Sequence, residues 1–241
     1  MNKLYFGDCL EIMDEVDGES VDMIFSDLPF GTTNCAWDSV IPLDKLWKHY
    51  NRIIKPNGAI LLFAQTPFDK VLGASNLEML RYEWIWEKTQ ATGHLNAKKM
   101  PMKAHENILV FYRKLPTYNP QKTQGHERKV STAKHKHNTI YDNEIWHKHD
   151  NFIDYDSTER YPRSVLKFPS DKQKLSLHPT QKPLALCEYL IKTYTNEEEL
   201  VLDSCIGSGT IPLAAKNLNR HFIGIEKEEK YFYIAKERII M

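Results

Sequence analysis

The chain has 241 residues, 41% of them hydrophobic, and its 32 Lys/Arg are balanced by 32 Asp/Glu. That is enough apolar material for one large α/β domain, or a domain with an insertion, and too much for a disordered chain; the neutral total gives no hint of a polyanionic partner. The longest apolar run, "AILLFA", has six residues, and the four cysteines form no CxxC pair, so the expectation is no membrane association, no zinc site, and reduced thiols in a cytoplasm. An acid at Asp8 comes too early for a signal peptide.

In chain order, "KLYF" reads as a strand, "DCLEIMDEV" as a short helix opened by Asp8, and "VDMIF" as a buried strand. "PLDKLWKHYNRII" sets Leu43, Leu46, Trp47, Tyr50, Ile53 and Ile54 on one helical face. "KPNG" reads as a turn and "AILLFA" as a strand covered on both faces, followed by strands in "YEWIWEK" and "NILVFYRK". The last quarter alternates: helix "PLALCEYLIKTY", strand "LVLD", helix "IPLAAKNLN", strand "HFIGIE", helix "EKYFYIAKERI". Strands alternating with helices predict a doubly wound, mostly parallel α/β sheet, Rossmann-like in its layers.

Between Leu115 and Ser176 this rhythm stops. The segment is rich in Pro, Asn, Gln, His and Lys, with scattered aromatics such as Tyr118, Tyr141, Trp146 and Phe152, and it reads as an inserted arm. Residues 98–150 hold 11 Lys/Arg against 5 Asp/Glu, a local excess of +6 in a neutral chain, and six histidines. The runs "KHKH" and "HKHD" lack nearby cysteines and read as solvated loop or phosphate contacts rather than a metal site.

Two stretches carry chemistry. "LVLDSCIGSGTIPLAA" runs strand, Asp203, Gly207 and Gly209, then a helix from about Thr210, and Glu226 closes the next strand. Glycines at such a turn let backbone approach a ligand, the helix N-terminus favours negative charge, and an acid at Glu226 accepts from ribose hydroxyls. Pro212 stands where a dinucleotide fingerprint needs its third glycine, and no Lys follows Gly209 as a phosphate loop requires. S-adenosylmethionine is the common ligand that remains, against the alternative of an ordinary tight turn.

The second stretch is "SDLPFG". Asp27, Leu28, Pro29 and Phe30 follow a buried strand, where open α/β sheets bind ligands. The exocyclic amino group of a base is a poor nucleophile, and alkylating it requires acceptors for its hydrogens. Asp27 offers a carboxylate, Leu28 a backbone carbonyl fixed by Pro29, and Phe30 a flat face for stacking.

"DLPF" resembles the catalytic tetrapeptide of the amino-group DNA methyltransferases, "DSCIGSGT" their cofactor loop, and "HPTQKPLAL" the segment before that loop. The order matches the circularly permuted β class, over roughly residues 1–112 and 177–241. The resemblance implies a fold of two halves, a catalytic 1–112 and a cofactor-binding 177–241, with a DNA target-recognition region inserted at 113–176. It implies that Asp27, Leu28, Pro29 and Phe30 hold the target base. Asp8, with Cys9 beside it, would lie near the adenine of S-adenosylmethionine and Lys182 near its methionyl carboxylate. Asp203, Gly207, Ser208, Gly209 and Thr210 would form the loop beneath it, and Glu226 would hold its ribose. Leu28 departs from the usual second proline, and Cys205 replaces the usual aromatic.

The expected activity is methylation of adenine N6 in double-stranded DNA, because Asp rather than Ser leads the tetrapeptide. The rivals are N4-cytosine methylation, methylation of RNA or a protein amide, and a DNA-binding module holding the cofactor without turnover. A cognate restriction endonuclease and a homodimer are partners the sequence leaves open.

Overall fold

The computed structural model describes residues 2–31, 38–131, 155–171 and 181–240. The chain forms two compact units, Met1–Asn119 with Ser164–Met241, and Pro120–Arg163.

The larger unit begins with β1 (Asn2–Phe6), α1 (Cys9–Ile12) with a 3-10 turn after it, β2 (Val21–Ser26), α2 (Leu43–Ile53) and β3 (Ile54–Ala64). It continues through α3 (Phe68–Ala74), β4 (Leu80–Thr92) and β5 (Lys103–Phe111). In the smaller unit, β6 (Lys129–Ser131) pairs antiparallel with β7 (Tyr155–Ser157), and Arg128 grips Asp156 through two bonds of 2.7 and 2.5 Å. The chain then supplies β8 (Val165–Phe168), α4 (Leu184–Tyr194), β9 (Leu200–Asp203), α5 (Thr210–Asn217), β10 (His221–Glu226) and α6 (Glu229–Ile240) to the larger unit.

Eight strands form one sheet in the order β1-β10-β9-β2-β3-β5-β4-β8. Within this sheet the β3–β5 and β5–β4 pairs are antiparallel and the others parallel. Helices α4, α5 and α6 bury Leu190, Ile211 and Ala235 against Phe25, Leu61 and Trp84 on one face. Helices α1, α2 and α3 bury Cys9, Tyr50 and Leu72 against Ile24, Ile60 and Leu202 on the other. The doubly wound, mostly parallel α/β sheet expected from the sequence is therefore the observed one.

Two local readings change. Ile54 begins β3 rather than ending the helix, and "KPNG" lies within that strand: Val21 pairs Ile54 but Met23 pairs Ala59, so Lys55–Gly58 bulge out between them. Helix α3 and strands β6, β7 and β8 went unread; β8 pairs parallel with β4. Tyr141, Trp146, Phe152, Cys35 and the "KHKH" and "HKHD" runs lie outside the described residues, as does His178-Pro179-Thr180 of "HPTQKP". No helix among the described residues is long and apolar enough to cross a membrane.

The topology fixes where a ligand can sit. After β2 the chain moves through α2 to β3 on one side; after β9 it moves through α5 to β10 on the other. The crevice beyond the C-terminal ends of β2 and β9 is the switch point, and Ser26-Asp27 and Asp203-Ser204 end those strands.

Candidate active site

A cavity of about 310 Å³ opens at that switch point. Asp8, Cys9, Asp27, Leu28, Pro29, Phe30, Lys182, Asp203, Gly207, Ser208, Thr210 and Glu226 line it. Of the residues singled out in the sequence, Gly209 alone does not. It caps α5 at φ +77°, and a Cβ there would lie 2.9 Å from the Ala235 Cβ, so this glycine serves the close packing of α6.

The glycine loop is held from both sides. Glu226 accepts the Gly207 N–H at 2.8 Å and the Glu228 N–H at 2.9 Å, which leaves each oxygen with acceptor capacity. Arg238 of α6 donates to the Ser208 carbonyl at 3.1 Å and to the Thr210 hydroxyl at 2.9 Å. Asp8 caps α1 by accepting the Leu10 N–H at 2.8 Å. Asp203 accepts the Cys205 N–H at 3.1 Å. Burial pushes the Asp203 carboxyl up to about 8, against the pull of Cys205 and Ser26, and burial also raises Glu226.

On the other side of the cavity, Phe30 stacks on Phe68 of α3, centroids 5.2 Å apart, so the helix missed in the sequence sets the angle of that ring. Asp27 Oδ2 meets Lys182 Nζ at 2.8 Å, while Asp27 Oδ1 is buried with no hydrogen-bond partner among the described residues. Burial drives the Asp27 carboxyl up and Lys182 draws it down; Glu106 and Asp38 add to the rise, and the balance is about 6. Lys182 is itself buried and also lies 3.1 Å from Glu106 and 4.9 Å from the Phe63 ring centre. Glu106 in turn meets Lys88 at 2.6 Å. Burial raises the Glu106 carboxyl, but the two lysines overturn that and hold it at about 2.

Glu106, Lys88, Trp86 and Gln65 also line the cavity, and none was read as a site residue in the sequence. A signal existed for the two charges. Trp84, Trp86 and Lys88 share one face of β4, and Val110, Ile108 and Glu106 share one face of β5. A charge that continues a buried apolar alternation marks a wall facing something other than core. Among the described residues, no cluster of His, Cys, Asp or Glu is arranged to hold a metal.

Fold and cavity define a class: a doubly wound α/β protein with a glycine-loop pocket on one side of the switch point and a carboxylate followed by Leu-Pro-Phe on the other. A model of the N6/N4 methyltransferase family, described as DNA methylase, matches residues 21–237, and the chain belongs to that family. It is 28% identical over 251 residues to the type II methyltransferase M.HpaI of Haemophilus parainfluenzae, covering 98% of this chain and 74% of the relative. It is also 28% identical to the type II methyltransferase M1.MboII of Moraxella bovis, covering 96% and 94%. Among solved structures, the M1.HpyAVI–SAM complex superimposes with a TM-score of 0.66 at 27% identity, over 99% of this chain and 100% of that one. The cytosine-N4-specific PvuII DNA methyltransferase shares the fold, with a TM-score of 0.69 at 16% identity over 98% and 86%.

Proposed function

We propose that this DNA methyltransferase transfers a methyl group from S-adenosylmethionine to N6 of an adenine flipped out of duplex DNA. The cofactor suits the residues present. It is a nucleoside with ribose hydroxyls and a net positive charge, and the glycine-loop side of the cavity offers acceptors at Asp8, Asp203 and Glu226 beneath a helix N-terminus. When bound, S-adenosylmethionine supplies an electrophilic methyl group.

The observation that carries the reading is Asp27 Oδ1, a buried acceptor on the wall of the cavity without a donor among the described residues. An unpaired buried acceptor is costly, and an amino N–H of a base would satisfy it. As the amino nitrogen forms the new N–C bond and the S–C bond breaks, the nitrogen loses a proton, for which Asp27 is the acceptor. Phe30, braced by Phe68, gives the base a face to stack on. The catalysis is positioning and electrostatics, with no covalent intermediate.

Residues 113–176, with the basic excess of 98–150, are assigned to DNA target recognition. A carboxylate leading the tetrapeptide is a stronger acceptor than a hydroxyl, which favours adenine as the target. Methylating unmodified DNA, digesting it to nucleosides and separating these by mass spectrometry tests the assignment. N6-methyladenine is the expected product; dominant N4-methylcytosine would replace the base and leave the remaining chemistry standing.

A further inference from the structure

Four buried or half-buried charges alternate across the wall of the cavity: Lys88, Glu106, Lys182, Asp27. Their contacts are 2.6, 3.1 and 2.8 Å in that order, and each comes from a different part of the chain. Such a row is poor evidence for stability, because apolar residues of the same volume usually serve a fold as well or better. Its geometry is specific, however. Lys182 meets one oxygen of Asp27, Oδ2, and shares its ammonium with Glu106.

We propose that Glu106, backed by Lys88, is a positioning residue for methyl transfer: Lys182 keeps Asp27 ionised, and Glu106 shares that ammonium, so that Lys182 does not bind Asp27 tightly enough to weaken it as an acceptor. The proposal rests on the reading of Asp27 as acceptor of the amino hydrogens. With Glu106 gone, Lys182 would be drawn wholly onto Asp27 and weaken it as an acceptor. With Lys182 gone, Asp27 would face Glu106, Asp38 and Asp203 with no cation beside it. Cys187 of α4 also faces this group: burial raises its thiol, the charges of Asp203 and Asp27 add to the rise, and the thiol stays neutral.

The two single variants therefore act in opposite directions. In the free protein carrying 13C-carboxyl aspartate, the Asp27 NMR signal is identified by its loss in Asp27→Asn. Lys182→Met is expected to raise its titration midpoint by about one to three pH units. Glu106→Gln is expected to lower it and to slow single-turnover methylation about tenfold, the equivalent of one pKa unit. Affinity for S-adenosylmethionine, read by calorimetry, is expected to stay within about twofold in Glu106→Gln, less than any change worth 1 kcal/mol. Lys88→Met tests the far end should either variant fail to fold: Glu106 then pulls Lys182 away and the Asp27 midpoint rises. An Asp27 titration unmoved in these variants overturns the proposal. So does Lys182→Met if it weakens cofactor binding more than about tenfold with the Asp27 midpoint in place, since Lys182 is then a cofactor ligand. Near wild-type turnover in Asp27→Asn would instead remove the acceptor reading itself.

Discussion

Ser204 donates its backbone N–H to the Ser26 hydroxyl at 2.9 Å, across 178 residues of chain. The bond joins the last residue of β2 to the residue after β9, so it locks the two sides of the switch point in register. Tyr50 of α2 completes the knot, its hydroxyl 2.6 Å from the Ser204 hydroxyl.

Ser26→Ala leaves the Ser204 N–H buried without its acceptor. The expected cost is about 1–3 kcal/mol in urea unfolding, with activity falling beyond the lost stability because Asp27 adjoins the break. A variant as stable as wild type would mean the strands are held by other contacts.

Asp27→Ala is expected to retain cofactor binding and lose turnover by at least about 100-fold. S-adenosylmethionine and its demethylated product should both raise the melting temperature of the wild type and of this variant, and NAD should raise neither. Stabilisation by NAD alone would overturn the cofactor assignment.

Asp203 sets a pH dependence. Its carboxyl is raised from 3.8 to about 8 in the folded protein, chiefly by burial. Between those values the folded chain keeps a proton that the unfolded chain has released. The stabilising contribution is therefore full below about pH 4 and lost as pH rises through about 8. A cation bound beside Asp203 favours its ionised form, so cofactor binding at neutral pH should release up to about one proton. Calorimetry in buffers of different ionisation enthalpy measures this, and Asp203→Asn should abolish it.

Gly209→Ala puts an L residue at φ +77° and its Cβ 2.9 Å from that of Ala235. A loss of about 1–3 kcal/mol is expected. Because the clash displaces the loop from α6, cofactor affinity should fall as well. Chemical unfolding and calorimetry read the two effects separately.

DNA affinity should fall steeply with salt. Lys134 and Lys136 lie outside the described residues, and their place in the basic segment predicts phosphate contacts. Replacing both should reduce the slope of log affinity against log salt by about 2. An unchanged slope would move the DNA-binding face elsewhere.

The strands that lead into Asp27 and that end in Asp203 and Glu226 were legible because each is a short apolar run followed or closed by an acid, and local pattern suffices for that. The bulge at Lys55–Gly58 was not, since "KPNG" is locally a turn and only pairing with β2 holds it inside a strand. Glu106 and Lys88 were hidden for a related reason. They meet only when β4 and β5 pair antiparallel with Trp86 opposite Glu106, and Lys182 arrives from a distant stretch. Lys182 stood out in the sequence, but nothing there indicated that its partners would be Asp27 and Glu106.

Helix α6 touches the glycine loop from behind, through Arg238 and the Ala235–Gly209 contact. It is thus a poor handle for protein engineering. A fluorescent reporter, surface tether or fusion partner that pries at this helix would tug on Ser208 and Thr210, and the result would look like a fault in the cofactor pocket. The antiparallel pair β6–β7, which belongs to the other compact unit, is the better place to test such attachments while watching cofactor binding, for instance at the exposed Val130.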